Sequence, residues 1–274
     1  MPIPALLRAE LAISSAEPGG GGGCIHDCYR VGIAGVSRFL KTNSPAQADA
    51  FAAEAEGLGA LREAAMRVPA PLRHGVAGDR AYLLLELLDL SGGKHFTALG
   101  RMLAAMHRRT GERFGWARDN YIGSTPQANA WRDDWSKFWL ECRLEPQLEL
   151  ARRNGFRIAL PSMKWLEGHR PMPSLLHGDL WSGNAGFTPE GPVLFDPAVY
   201  YGDREADLAM TELFGGFPRA FYEAYHAAWP LEEGYERRKH LYNLYHLLNH
   251  LNLFGGRYLP QVEATLRLLL LGCR

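Results

Sequence analysis

Two hydrophobic periods divide this chain. In the first third, apolar residues follow the short period of strands. Ile25 to Ile33 and Val36 to Thr42 read as strands able to pair around Ala34-Gly35. Ser44-Pro45-Ala46-Gln47 predicts a helix start, with Ser44 as cap, Pro45 in the first helical position and Gln47 closing a capping box. The helix should run to about Met66, where Val68-Pro69-Ala70-Pro71 breaks it. Tyr82 to Leu88 then reads as a buried strand.

From about His95 the period becomes helical. Phe96, Leu99, Leu103 and Met106 mark one apolar face, Trp131, Trp135, Phe138 and Cys142 a second, and Leu241, Leu244, Leu248 and Leu251 a third. Pro146 falls inside the second segment and predicts a kink or a split. The one clear strand expected in this half is Val193-Leu194-Phe195, leading into Asp196. The pattern predicts an α+β, bilobal, protein-kinase-like chain. A small β-rich lobe over 1–88 precedes a larger, mostly helical lobe over 89–274, with the boundary near Leu88 to Gly93.

Composition narrows the functional classes. Hydrophobic residues make up 47% of the chain, charged residues 22%, and the formal net charge is zero. That balance gives no bulk electrostatic case for nucleic acid or an anionic membrane. The longest apolar stretches are far shorter than a membrane span, and the N-terminus lacks a basic start followed by an apolar run. Cys24, Cys28, Cys142 and Cys273 show no paired C-x-x-C spacing. A zinc site or a disulfide framework is not expected, and a reducing cytoplasm is.

The candidate chemistry centres on His177-Gly178-Asp179-Leu180-Trp181-Ser182-Gly183-Asn184, followed by Phe195-Asp196-Pro197. An Asp, an Asn five positions on and a second Asp after an apolar run form the polar core of a phosphoryl-transfer site. Asp179 would accept the proton of the attacking hydroxyl, while Asn184 and Asp196 would hold the magnesium ions that neutralise ATP. His177 is expected to brace the loop, and Asp207 to cap or brace the following helix.

Upstream parts fit the same chemistry. The run Gly19 to Gly23 lies among predicted strands, where the backbone N–H groups of Gly21, Gly22 and Gly23 can approach phosphates closely; no G-K-[ST] follows, so it is not a Walker A loop. Lys41, at the end of the next strand, is placed to pair the α- and β-phosphates, and it needs a carboxylate from the following helix. At 100° per residue, Glu54 shares a stripe with Phe51, Leu58 and Leu61, whereas Glu56 lies on the far face. Glu54 is therefore the expected partner. Glu86, Leu87 and Leu88 would read adenine through their backbone groups. Almost no chain separates Asp196 from the Gly202-Asp203-Arg204-Glu205-Ala206-Asp207 cluster. A peptide-docking activation segment has no room there, so the acceptor should be a small hydroxylated molecule or a small group displayed on something larger.

The chain resembles the fructosamine kinase (ketosamine-3-kinase) family, within the fold shared with aminoglycoside phosphotransferases. The resemblance rests most specifically on Leu176-His177-Gly178-Asp179-Leu180-Trp181-Ser182-Gly183-Asn184 and Tyr201-Gly202-Asp203-Arg204-Glu205-Ala206-Asp207. Asp119-Asn120-Tyr121-Ile122-Gly123-Ser124-Thr125-Pro126-Gln127, Phe39-Leu40-Lys41-Thr42-Asn43 and Leu244-Tyr245-His246-Leu247-Leu248-Asn249-His250 extend it. It implies ATP-dependent phosphorylation of the 3-hydroxyl of ketosamines, ribulosamines or erythrulosamines before fructosamines, in deglycation. It also implies the roles given above for Asp179, Asn184, Asp196, Lys41, Glu54 and Glu86 to Leu88. Asp119, Asn120, Trp131, Trp181 and Asp203 are the candidates for acceptor contact. Cys24 corresponds to a cysteine that some relatives link to redox-sensitive dimers. Two other readings compete: a kinase of the same fold acting on an aminoglycoside, choline or homoserine, and a non-catalytic nucleotide-binding scaffold.

Overall fold

Ala34 and Gly35 both take left-handed backbone angles, φ of 48° and 76°, so a two-residue turn closes β2 (Asp27–Ile33) onto β3 (Val36–Asn43). That hairpin is the middle of a five-stranded antiparallel sheet in this computed structural model, which describes residues 3–19 and 25–271. β1 (Ile13–Pro18), β4 (Pro71–Ala77) and β5 (Arg80–Glu86) complete it in the order β1-β2-β3-β5-β4. Five consecutive residues of β5, Ala81 to Leu85, are buried. Such a run means that both faces of the strand are covered. Tyr82 and Leu84 point into a cluster with Leu7 and Leu11, at and just beyond the short helix α1 (Ala5–Glu10). The alternate residues face the other side, where α2 (Ala48–Glu63) packs on β4 and β5 through Phe51, Leu58 and Leu61.

The expected capping box does not form. Ser44 makes no side-chain cap; a 3₁₀ turn over Pro45–Gln47 comes first, and Gln47 donates its backbone N–H to the Ser44 carbonyl. The Ser44 N–H, which Gln47 would have accepted, goes to Asn43 Oδ1 at 2.7 Å, and Gln47 Oε1 is left without a partner. α2 also stops at Glu63 rather than Met66.

The chain divides into two compact units. The first comprises residues 1–94 together with 186–196, so the hairpin of β9 (Ala185–Thr188) and β10 (Gly191–Leu194) belongs with the sheet. Backbone bonds from Gly92 to Phe187 and from Leu194 to Arg67 fasten it there. The second unit, 95–185 with 197–274, is mostly helical. A sheet unit and a helical unit are the α+β plan of the kinase-like fold.

In the helical unit, α8 (Tyr235–Phe254) runs through the core, with Leu241, Leu244, Leu248 and Leu251 fully enclosed. α3 (Phe96–His107) packs on α7 (Arg219–Ala228), while α6 (Glu205–Leu213) and α9 (Leu259–Leu271) pack on α8. The Trp135 region is one continuous helical run: α4 (Trp135–Trp139), a π turn over Leu140–Leu144, and α5 (Glu145–Arg153). Pro146 lies in the first turn of α5, directly after the π turn that separates α5 from α4. A proline removes the bond to the carbonyl four residues back, and here Arg143 Nη1 takes that Cys142 carbonyl at 2.9 Å.

Trp131 is not part of that helix. It lies in an extended segment before Asp134, whose side chain caps α4 through the Lys137 N–H. Four three-residue strands escape the periodic reading: β6 (Asn120–Ile122) with β7 (Thr125–Gln127), and β8 (Ser174–Leu176) with β11 (Tyr200–Gly202). Three residues are too few to display a period of two. Phe195 lies just past the end of β10. Among the described residues no helix is long and apolar enough to cross a membrane.

Candidate active site

In the sheet unit, three separate segments deliver charge to one point. Lys41, on β3, donates to Glu54 Oε1 of α2 at 2.7 Å and to Asp196 Oδ1, just past β10, at 2.6 Å. The lysine side chain is 5% exposed, Glu54 12% and Asp196 42%. Burial alone would lower the Lys41 pKa, but the two carboxylates outweigh it and raise it above the ordinary value. Lys41 is held as an ammonium. Burial pushes the Glu54 pKa up against the pull of Lys41. Asp196 has a left-handed φ of 57°, a conformation uncommon outside glycine that occurs at functional turns.

His26 joins this group and had no signal in the sequence beyond following the glycine run. Burial, then the charge of Lys41, pushes its pKa down to about 4. Its Nδ1 meets Asn43 Nδ2 at 3.0 Å, so the neutral ring accepts there. The glycine positions Gly21, Gly22 and Gly23, with Cys24 and Cys273, lie outside the described residues. Glu86 is fixed by a two-pronged ion pair with Arg67, 2.9 and 2.6 Å, and by the Ala70 N–H at 3.1 Å. These bonds, led by Arg67, keep its pKa low. Leu87 and Leu88 follow it out of β5.

In the helical unit, β8 runs into the His177-Gly178-Asp179 turn. Gly178 has φ of 82°, and a Cβ there would lie 2.0 Å from the Ala198 carbonyl oxygen, so only glycine fits. Asp207 of α6 accepts the backbone N–H groups of His177 and Gly178, at 2.7 and 2.8 Å, and contacts His107 Nε2 at 3.1 Å. Burial works against the Asp207 charge, yet these donors hold its pKa below the usual carboxylate value. It braces the turn ahead of it rather than its own helix. His177 accepts the Asp179 N–H at 3.3 Å, the bracing role expected of it. Asn184 donates to the Asp179 carbonyl at 2.9 Å and to Asp179 Oδ2 at 3.3 Å. Asp179 is half-buried.

The five acceptor candidates separate sharply. Asp203 is 1% exposed; Oδ2 accepts from His169 and Tyr242, Oδ1 from the Glu205 N–H, and it is structural. Asn120 is buried in an amide network with Gln127 and Asn129. Asp119 is exposed and accepts the Asn129 N–H. Trp131 is 37% exposed and stacks on Tyr201, while Trp181 is half-buried edge-on to Phe214. His169, Asp203 and Glu205 bring three possible metal ligands together. Arg238 forks onto both Glu205 oxygens at 2.7 Å, however, and already supplies the cation there.

The family model described as fructosamine kinase matches residues 5–271. The chain belongs to the fructosamine kinase family. A probable ketoamine kinase of Synechocystis sp. is 49% identical over 257 residues, covering 90% of this chain and 87% of that one. The chloroplastic protein-ribulosamine 3-kinase of Arabidopsis thaliana is 42% identical over 253 residues, covering 87% and 77%. The crystal structure of a candidate fructosamine-3-kinase from Haemophilus somnus superposes with a TM-score of 0.88 at 30% identity, covering 97% and 95%. The hygromycin-bound aminoglycoside phosphotransferase APH(4)-Ia, at TM-score 0.63 and 13% identity, shares the fold alone.

Proposed function

We propose that this kinase transfers the γ-phosphoryl group of ATP to the 3-hydroxyl of a ketosamine, the adduct that glycation leaves on an amine. The observation that carries the reading is Lys41 held between Glu54 and Asp196. Phosphoryl transfer needs little covalent help from the protein. It needs fixed charge against the phosphates and a positioned acceptor for the hydroxyl proton. Lys41 supplies the fixed charge, and Glu54 keeps it extended. The glycine segment covers the phosphates, Glu86 to Leu88 meet adenine through the backbone, and residues 1–88 serve as the nucleotide-binding lobe.

Asp179 accepts the hydroxyl proton. A carboxylate already ionised at neutral pH suffices, because the proton leaves late in a loose transition state. Asn184 and Asp196 offer an amide oxygen and a carboxylate, the hard oxygen donors that magnesium takes. Asn184 commits its amide nitrogen to Asp179, which leaves its oxygen for a cation. The Lys41–Glu54–Asp196 set holds two carboxylates against one ammonium, a deficit of positive charge that also suits a metal ion. With magnesium bound, the triphosphate charge is neutralised.

Residues 89–274 form the catalytic and acceptor lobe. β11 returns to pair with β8 only four residues after Asp196, so no peptide-docking segment intervenes. Trp181, Trp131 and Asp119 keep exposed surface for acceptor contact. The names of the relatives point to ketoamines and to ribulosamines on protein. Cytoplasmic work in a reducing, ATP-rich compartment fits this chemistry. The test is ATP consumption against ribulose-lysine, erythrulose-lysine, fructose-lysine and an aminoglycoside. Turnover on the ketosamines alone is expected; turnover on the aminoglycoside alone would overturn the acceptor assignment.

A further inference from the structure

Arg143 is fully buried in the helical unit, and the acceptors its guanidinium takes there are carbonyls and a side-chain amide oxygen. Burying a charge is costly, so a guanidinium retained in an aromatic core needs a reason. Its bonds supply one. Nη1 donates to the carbonyls of Ala128 and Cys142 at 2.5 and 2.9 Å, and Nη2 donates to Asn129 Oδ1 at 2.8 Å. Its Cζ lies over the Tyr200 ring, 3.9 Å from the ring centre. Nε has no partner.

From Asn129 the bonding continues to the Ala198–Tyr200 segment of the helical unit. Asn129 Nδ2 and Gln127 Nε2 both donate to Asn120 Oδ1, at 2.9 and 2.8 Å. Asn120 in turn donates to the Val199 carbonyl at 2.8 Å, and Gln127 to the Ala198 carbonyl at 3.1 Å. Tyr245 donates to Gln127 Oε1 at 2.7 Å and so fixes the orientation of that amide. The segment Ala198-Val199-Tyr200 is thus held by its carbonyls and its ring. On its other side, the Ala198 N–H donates to the His177 carbonyl at 2.8 Å, and the Ala198 oxygen rests against Gly178.

The geometry points to Arg143 as a positioning residue, whose buried guanidinium sets the Ala198–Tyr200 segment against the His177-Gly178 turn and so fixes Asp179 and the residues following Asp196. Neither a lysine nor an apolar residue can replace it, because three planar donors and a stacked face are used at once. Burial pushes the Tyr200 and Tyr245 pKa values up, and the Arg143 charge works against that rise in both. Its catalytic consequence rests on the proposed roles of Asp179 and Asp196; its structural content does not.

The test uses Arg143→Lys, Arg143→Met and Gln127→Leu in the full chain. Hydrogen exchange of the nucleotide-free, metal-free protein should speed up at least about tenfold in peptides covering 177–180 and 197–201, with the 241–248 segment of α8 unchanged. In the folded variants kcat should fall about 100-fold while KM for ATP stays within about threefold. Gln127→Leu reads the same segment if Arg143→Met does not fold. Loss of melting temperature with wild-type exchange in both loops, or with wild-type kcat, would overturn the assignment. Absence of turnover in the wild-type protein would count against the proposed reaction and leave the exchange result to decide the role of Arg143.

Discussion

Lys41 Nζ meets Asp196 Oδ1 at 2.6 Å across 155 residues of sequence. That single bond brings the strand after the glycine run to the end of the β9–β10 hairpin. It places a fixed ammonium beside a half-exposed carboxylate, with Glu54 closing the other side. Lys41→Met removes the cation that lies between two carboxylates. Breaking such a pair should cost on the order of 3 kcal/mol, somewhat less to the extent that water screens Asp196. Turnover should fall at least about 100-fold. Glu54→Gln leaves Lys41 its bond to Asp196, so its loss of turnover should be smaller, about tenfold. Melting curves and ATP-consumption kinetics on both variants check the order.

Asp207 holds two consecutive backbone N–H groups of the turn that leads into Asp179. Asp207→Asn leaves one of them facing an NH₂ group, which should lower stability by about 2–3 kcal/mol. The kcat should drop more steeply than KM for ATP, because the affected turn carries Asp179. Thermal melts with separate kcat and KM values distinguish this from a uniform loss of folded enzyme.

Gly178→Ala tests the contact between the two turns directly. Its Cβ would collide with the Ala198 carbonyl, in a backbone region that alanine rarely enters. A loss of stability of about 2–4 kcal/mol is expected. Gly59→Ala, in a helix position with open space around it, should be neutral or stabilising by a few tenths of a kcal/mol to about 1 kcal/mol. Parallel denaturant titrations of the two variants provide the comparison.

Two buried histidines contribute strongly to the acid side of the stability profile. Burial pushes the His26 pKa down to about 4 and that of His246, which is fully enclosed, to about 3. Each takes up a proton more readily in the unfolded chain, from about pH 6.5 downward. Folding stability should therefore fall as pH drops below 6.5, and the His26 contribution should be complete near pH 4. His26→Asn keeps a polar partner for Asn43 and should remove on the order of 2 kcal/mol of that loss. Melting temperature measured from pH 7.5 to pH 4.5 in wild type and variant checks it. A parallel decline in the two proteins would contradict the assignment.

The β2–β3 hairpin, β5, α2, α3, α8 and the charged pair were legible because each leaves a local trace. Glu54 was separable from Glu56 by helical geometry alone, and the four leucines of α8 by their spacing. The Asp196 bond to Lys41 leaves no local trace, since it depends on how the sheet unit takes back residues 186–196. The three-residue strands were hidden by their length, and their stability comes from side-chain amides such as Asn120 and Gln127. Those residues read as acceptor contacts or as pattern until their buried bonds are seen. Asp203 is the clearest case: an acid in a family motif, it serves His169, Tyr242 and the start of α6 instead. Arg143 was invisible for the opposite reason, as one arginine among many, distinguished only by complete burial.

In the proposed reaction Asp179 takes the proton of a ketosamine 3-hydroxyl as phosphate arrives there. Phosphorus and carbon NMR of the product formed from ATP and ribulose-lysine, with wild type and Asp179→Asn side by side, tests it most directly. Phosphate on C3 is expected from the wild type. From the variant, turnover should be lower by a factor of about 1,000 or more, with nucleotide affinity kept. Phosphate on another carbon, or wild-type turnover by Asp179→Asn, would contradict it.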